Sequence, residues 1–549
     1  MKSKNINKKV ENDTTYEKFI KSDNILSKQT QKDVNESVQL HYNIKSKSYG
    51  KTKHIHFVGI GGVSMSSLAV WALMQGYKVT GSDMVITDTT KQLETYGINI
   101  IYKHEKQNVI NADMVVYSNA TDNSCEVLSA KMLGIKTLSR AEYLATMLKE
   151  YKNKICVSGA HGKTTTTALI YSILHSANKQ PSLHLGGNLC ENGKNFSYAN
   201  KDFIACEACE YKDAFLALPT SVGVILNIAP EHLDYFKDYS GVLKSFKQFA
   251  KNSKNLVINY DFYNKNAVFY DKNEKKHKKV ITFGLNNGDY IASNISQNLN
   301  GTYSFDCLKN GKFFAHINLN LVGKHNIVNA LAAIAACDFY GIAKEYICAG
   351  LQNFKGVQRR FEHLHKTKFI VHDYAHHPDE ITATLTETFG FYYQNKNQSR
   401  NNYLYKSKYE KQENFQQKDI QAQLNKNISK KLLVVFQPHT YSRTKTLFTN
   451  FINCFSNVNE LVLLKTYSAR EKYDYKGSAC YLSKKIGQKA KYFGSKQKAK
   501  DYILQKLKQG YGVLFLGAGD IYAFAKIVAK LCWQELNNMI DFNPLNIKF

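Results

Sequence analysis

No apolar run in this 549-residue chain approaches the roughly 20 residues that a membrane-spanning helix needs. The first residues, MKSKNINKKVENDTTYEKF, carry lysines but no apolar core, which excludes a secretory signal. Their acidic residues and lack of arginine argue equally against an organelle transit peptide. Regular cysteine spacing is missing too. The eleven cysteines are scattered and odd in number, so no disulfide framework is expected and a reducing cytoplasm is the simplest compartment. Cys206-Glu-Ala-Cys209 is formally C-x-x-C, yet no second pair or histidine set accompanies it. The two read as small buried cysteines beside a functional glutamate rather than as zinc ligands. Acidic residues are few against 74 Lys and Arg, giving a net charge of +29. Residues 1–53 and 392–431 supply +12 of it, both as polar low-complexity stretches, and no RNA- or DNA-binding module appears. The excess is read as solubility, with no nucleic acid and no membrane as partner.

What is present is a folded composition, 43% hydrophobic with 36 tyrosines, long enough for about three or four domains. After a polar extension at 1–50, expected to be disordered, three blocks emerge: 51–149, 150–356 and 357–549. In the first, His54 to Ile60 reads as a buried strand. Met65, Leu68, Ala69, Ala72 and Leu73 share one face of the next helix, Gly76 ends it, and Tyr77 to Thr80 gives a second strand. This is a β-α-β unit with G-x-G-G at its first turn, and Asp83 stands where a ribose-binding acid would sit. Ser64 replaces the third glycine of the dinucleotide fingerprint. The second and third blocks alternate apolar strand-like runs with helical or polar stretches: FIACEA, VGVILNI and NLVIN, then LLVVF, ELVLLK and VLFLGAG. Such alternation argues a largely parallel α/β sheet in each. A low-complexity insert at about 392–431 interrupts the third block between a helix and a strand, where added loops are tolerated.

The stretch GAHGKTTTT, Gly159 to Thr167, follows the apolar run Ile155-Cys156-Val157 and precedes a helical segment. A glycine-rich turn there lets backbone N–H groups and the positive end of a helix surround phosphate oxygens. Lys163 supplies a point charge for the β/γ-phosphates, and the Thr164 hydroxyl can reach a magnesium ion. The general loop would place glycine at Val157; this one is shorter. Glu207, ending an apolar strand downstream, is where a magnesium-coordinating acid belongs. His232 follows another strand, and alone reads more readily as a hydrogen-bonded structural histidine. Asn326 and Asn329 lie at i and i+3 on one helix face; their amides could read a purine edge or cap the helix. Arg359 and Arg360 suit a phosphate clamp. Asp373, Tyr374, His376 and His377 cluster at a helix start, and His439 and Arg443 follow another strand.

With HFVGIGG…GSD, GAHGKTTTT, EACEYKDAFL, NIAPEHLDYF, GKHNIVNALAA, GVQRRFE, DYAHHPDEI, FQPHTYSRT and LGAGDI in this order, the chain from His54 to about Tyr522 resembles the Mur ligase family. The short phosphate loop is the form that family uses. The resemblance implies an α/β enzyme of three domains: a Rossmann-like UDP-binding domain, a central P-loop ATPase-like α/β domain and a C-terminal Rossmann-like domain. It implies a cytoplasmic, ATP-dependent acid–amino-acid ligase of peptidoglycan precursor synthesis, monomer or homodimer, joining L-alanine to the lactyl carboxylate of UDP-N-acetylmuramate through an acyl phosphate. Gly59, Gly61, Gly62 and Met65 would approach the diphosphate, Asp83 the uridine end, and Ser118, Asn119 and Ala120 line the same site. ATP would lie on Gly159, Ala160, His161, Gly162, Lys163, Thr164 and Thr165, with His161 toward the substrate. Thr164, Glu207 and His232 would position Mg2+, Asn326 the adenine, Arg360 or Arg359 a phosphate, and Asp373 the ribose. Tyr374, His376 and Arg443 would face the alanine and the acyl group.

Three positions depart from the family's usual residues: Glu231 for aspartate before the histidine, Ser64 for glycine in the first turn, and His372 for the first of two aspartates before Tyr374. None removes a phosphate-loop residue or the glutamate ligand, so an active enzyme is expected. Rival readings are a ligase that recycles the murein tripeptide, a non-catalytic nucleotide-binding regulator, and a nicotinamide-dependent oxidoreductase. The GIGG turn disfavours the first, intact Lys163, Thr164 and Glu207 the second, and the phosphate loop with its arginine pair the third.

Overall fold

The computed structural model describes residues 53–265, 278–298, 301–365, 367–390, 392, 431–469 and 471–541. The polar extension and nearly all of the insert lie outside them. Three sheets form, one in each block. In the first, β1 (His54–Val58), β2 (Lys78–Ser82), β3 (Asn99–Ile101), β4 (Met114–Tyr117) and β5 (Lys136–Ser139) pair in the order β3-β2-β1-β4-β5, all parallel. The order reverses beside β1, so a crevice lies beyond the carboxyl ends of β1 and β4. The helix α1 (Val63–Met74) is buried continuously from Met65 to Ala72. The expected apolar face is therefore only part of a helix covered nearly all round, as its small and apolar residues allow.

The second sheet holds β6 (Asn153–Ser158), β7 (Ser182–His184), β8 (Phe196–Ser197), β9 (Phe203–Glu207), β10 (Val222–Ile225), β11 (Asn255–Asn259), β12 (Val280–Gly284), β13 (Tyr290–Gln297), β14 (Thr302–Lys309) and β15 (Lys312–Val322). Its order is β15-β14-β13-β12-β11-β10-β6-β9-β7-β8. The strands around β6 are parallel and buried on both faces, hence the unbroken apolar runs of their sequences. β13 to β15 add an antiparallel meander, and along β15 exposed and buried residues alternate because one face meets solvent. Two helices cover the core: α2 (Lys163–Ser176) and α3 (His325–Phe339), whose Ala330, Ala332, Ala333, Ala335 and Ala336 are buried and let it pack closely.

The third sheet orders β16 (Glu362–His363), β17 (Ile370–Asp373), β18 (Lys431–Phe436), β19 (Glu460–Leu464), β20 (Ala490–Phe493) and β21 (Tyr511–Leu516) as β16-β17-β21-β18-β19-β20, parallel except at β16. Separate apolar clusters form from its alternating side chains, one around Val435 and Phe515 and one around Phe436 and Leu514, as in a doubly wound sheet. The chain divides into two compact units after Lys152; Asp213–Pro219 belongs to the first, and the second and third sheets share the second. Among the described residues no helix is long and apolar enough to cross a membrane.

Candidate active site

In the first unit the turn after β1 is drawn tight from several sides. Gly59 has φ +77° and its N–H donates to the Ser82 carbonyl at 2.8 Å. A Cβ at Gly59 would stand 3.2 Å from Ser118 Oγ, so the turn and the loop after β4 meet. Asp83 serves the fold here: Oδ2 accepts the Gly61 N–H at 2.9 Å, while Oδ1 accepts those of Met84 and Val85. Its carboxylate thus welds the turn to the next loop. Met65 lies buried under Gly62, supporting the turn from below. Ser64 accepts a hydrogen bond from Arg140 Nη1 at 3.1 Å, so the departure from glycine has gained a partner. Asn119 is half-buried and Ala120 exposed.

In the second unit, β6 runs straight into the phosphate loop. Gly159 has φ +144° and Gly162 φ +85°. A Cβ on Gly162 would come within 2.4 Å of Asn329 Oδ1, and one on Gly159 within 3.1 Å of the Asn227 nitrogen. Both positions require glycine by conformation and by space. Asn227, at the end of the segment after β10, cross-ties the loop: its carbonyl accepts Ala160 N–H, its Oδ1 accepts His161 N–H at 2.7 Å, and its amide donates to the His161 carbonyl. Asn326 and Asn329 lie behind. The Asn326 amide donates to the Val322 carbonyl and its Oδ1 accepts from Asn329, so the pair buttresses Gly162 and neither caps α3. Thr165 is buried at the start of α2.

Lys163 Nζ donates to the carbonyls of Gly159 and Ala160 and to Glu210 Oε1 at 3.0 Å. Burial works against the ammonium, but Glu210 foremost and Glu207 further off outweigh it and hold its pKa above the ordinary lysine value. Thr164 Oγ1 donates to Glu207 Oε2 at 2.9 Å, and Gly186 N–H donates to the same oxygen. His232 joins a different carboxylate: its Nε2 is 3.7 Å from Glu210 Oε1, and Glu210, Glu231 and His232 offer ligand atoms within 4.8 Å of one another. Glu210 Oε2 is buried without a hydrogen-bond partner. The expected metal set is thus split, with Thr164 and Glu207 on one side and His232 with two further carboxylates on the other. A hydroxyl and three carboxylates are hard oxygen donors, and an orphaned carboxylate oxygen among them fits magnesium.

The third sheet brings its loops to the same place. His161 Nε2 lies 3.6 Å from Glu231 Oε1 and its Nδ1 3.6 Å from Glu380 Oε1, on the helix over residues 378–390. Glu380 Oε2 accepts the backbone N–H of His376 and His377 and lies 3.2 Å from His376 Nδ1. Burial opposes its ionisation; His376, and Arg360 beyond it, outweigh that and hold the carboxyl far below the usual range. Arg359, at φ +66°, sits between the rings of Tyr374 and Tyr522 at 4.7 and 5.4 Å and donates to the carbonyls of Ala518 and Gly519. Arg360 is exposed over Tyr374. Asp373 again serves the fold: it accepts from Phe361 N–H, Ala375 N–H and Thr384 Oγ1. His372 is fully buried, neither ring nitrogen has a hydrogen-bond partner, and burial pushes its pKa down to about 3. His439 stacks on Tyr467 and meets His376 edge-on, with its pKa lowered to about 4 by burial and then by His376 and Arg443. Arg443 keeps a buried Nη1 without a partner.

Glu210, Asn227 and Glu380 were not singled out in the sequence. Glu210 sits three residues after Glu207 in EACE, and Glu380 four after His376 in HHPDE, so the spacing was legible once the neighbours were known. Asn227 carried no signal.

Two family models match the sequence: the Mur ligase family catalytic domain over residues 54–152 and the Mur ligase middle domain over 157–337. A UDP-N-acetylmuramate–L-alanine ligase of Clostridium botulinum is 38% identical over 496 residues, covering 88% of this chain and 98% of the relative. The namesake of Clostridium novyi is 39% identical over 86% and 96%. Among solved structures, the UDP-N-acetylmuramate-alanine ligase MurC of Thermotoga maritima superposes with a TM-score of 0.68 at 26% identity, over 88% of this chain and all of that one.

Proposed function

Since this chain belongs to the Mur ligase family, we propose that it joins L-alanine to the lactyl carboxylate of UDP-N-acetylmuramate at the expense of ATP, in peptidoglycan precursor synthesis in the cytoplasm. One observation carries the reading: a phosphate loop with a half-buried lysine and a threonine-bound carboxylate faces, through His161, a histidine–arginine cluster from the third sheet. We assign 51–149 to the sugar nucleotide, 150–356 to ATP and 357–549 to the amino acid.

A carboxylate does not accept an amine directly, because oxide would have to leave. Phosphorylation converts it to an acyl phosphate, and expulsion of phosphate then drives amide formation. Lys163 offsets charge on the transferring phosphoryl group, and Arg359 or Arg360 adds to that. Thr164 and Glu207, and His232 with Glu210 and Glu231, would hold magnesium, which when bound would supply positive charge against the phosphates. The amides at Gly159 to Gly162 orient the phosphates. Tyr374, His376 and Arg443 hold the amino acid, and the turn from Gly59 to Gly62 the sugar nucleotide. Asp83 stands toward the uridine end and Asp373 toward the ribose, each carboxylate held in place by several hydrogen bonds.

The test is phosphate release from ATP and magnesium with UDP-N-acetylmuramate, offering L-alanine, glycine or the murein tripeptide in parallel. Release that needs the sugar nucleotide and L-alanine, with a product one alanine heavier, is the expected result. Turnover with the tripeptide alone would replace this reading by recycling, and ATP binding without release would replace it by a regulatory role.

A further inference from the structure

We propose that Glu380 is a positioning residue that fixes His376 as the base for the incoming amine, a role that rests on the ligase reading above. L-alanine arrives at neutral pH as an ammonium ion, which has no lone pair to attack a carbonyl. Some group beside the amino acid must take a proton. His376 Nδ1 faces two oxygens that only accept, the Tyr374 carbonyl at 3.2 Å and Glu380 Oε2 at 3.2 Å. The ring proton of neutral His376 therefore sits on Nδ1, and the lone pair is left on Nε2. A carboxylate behind Nδ1 also stabilises the imidazolium that forms when Nε2 is protonated.

Glu380 itself cannot swing away. Its Oε2 accepts two backbone N–H groups at the start of its own helix, and its Oε1 lies toward His161 of the phosphate loop. His439 faces the ring of His376 edge-on, and its lowered pKa keeps it neutral beside an imidazolium.

The ammonium gives one proton to His376 Nε2, and the freed lone pair forms the C–N bond to the acyl phosphate carbon. The tetrahedral centre collapses, the C–O bond to phosphorus breaks, and phosphate leaves with the second proton of the nitrogen. His376 then returns its proton to solvent.

The test replaces L-alanine with hydroxylamine, whose nitrogen is already unprotonated at neutral pH and which traps the same acyl phosphate as a hydroxamate. In Glu380→Gln the amide oxygen still accepts both backbone N–H groups, so the turn is kept while the charge is lost. We expect alanine-dependent kcat to fall about 100-fold or more while hydroxamate formation falls less than about threefold, general-base contributions being of the first size. His376→Gln should show the same split, and Glu380→Asp should recover part of the alanine rate. Equal loss with both nucleophiles in Glu380→Gln and Glu380→Asp, or no loss with either, would overturn the proposal. An unaltered protein that makes neither product would overturn the ligase reading and this one with it, a result distinct from failure of the variants alone.

Discussion

Replacing Glu210 by glutamine should destabilise the second unit by removing the charge that Lys163 is buried against. The two side chains are 14% and 3% exposed and their charged atoms are 3.0 Å apart. At an effective dielectric near 20, two unit charges at that distance attract by about 5 kcal/mol. Removing one partner of a buried pair costs about 3–5 kcal/mol, because the other charge stays behind unpaired. The carbonyls of Gly159 and Ala160 continue to accept from Nζ, so about 3 kcal/mol is the expected loss. In a unit of this size that lowers the unfolding midpoint by roughly 4 °C, readable by scanning calorimetry. The double variant Lys163→Met/Glu210→Gln should recover most of it, since removing both charges leaves no orphan. Added magnesium-ATP should narrow the deficit of the single variant by giving Lys163 another anion. A Glu210→Gln midpoint within about 1 °C of the parent would refute the argument that the ammonium depends on this carboxylate.

Gly162→Ala forces a side chain into φ +85° and brings its Cβ to 2.4 Å from Asn329 Oδ1, so a loss of about 1–3 kcal/mol is expected, with weaker ATP binding by calorimetric titration. His372 should make the protein acid-sensitive. Its folded pKa of about 3 lies below the ordinary 6.5, so the unfolded chain binds the proton first. Its contribution is intact above pH 6.5 and is lost as pH falls toward 3. Denaturant titrations at pH 7.5 and 4.5 should therefore differ less in His372→Phe than in the parent, though His439 adds a similar component; an unchanged difference would exclude His372 as a source. Glu387 accepts the Lys324 N–H at 2.8 Å and the Tyr303 hydroxyl at 3.1 Å. Glu387→Ala should cost about 1–2 kcal/mol and speed hydrogen exchange at Lys324, whereas unaltered exchange there would deny the contact.

Much of the fold was legible because the central strands of a doubly wound sheet are buried on both faces. VGVI in β10, LLVVF in β18 and YGVLFL in β21 are continuous apolar runs for that reason. The meander β13 to β15 was less so. Its strands alternate, and lysines, asparagines and histidines on the solvent face break the apolar signal. Glycine positions were readable as a motif, and the structure supplies the cause at Gly159 and Gly162, where positive φ and lack of room coincide. Asp83 and Asp373 mark the opposite case. The sequence offered them as ligand-side acids, Asp83 by its distance from Gly59 and Asp373 by family resemblance, and gave no sign that their oxygens also hold backbone N–H groups of neighbouring turns.

The sequence by itself determined the phosphate loop, the order of strands and helices, the residues of the histidine and arginine cluster, and the family, because each depends on near neighbours along the chain. Only the tertiary structure decided which carboxylate meets Lys163, that Asn227 ties the loop 66 residues away, and that Glu380 stands between His161 and His376. Those pairings depend on which strands become neighbours, and a sheet ordered β9-β6-β10 and β17-β21-β18 brings together chain segments that no local periodicity connects.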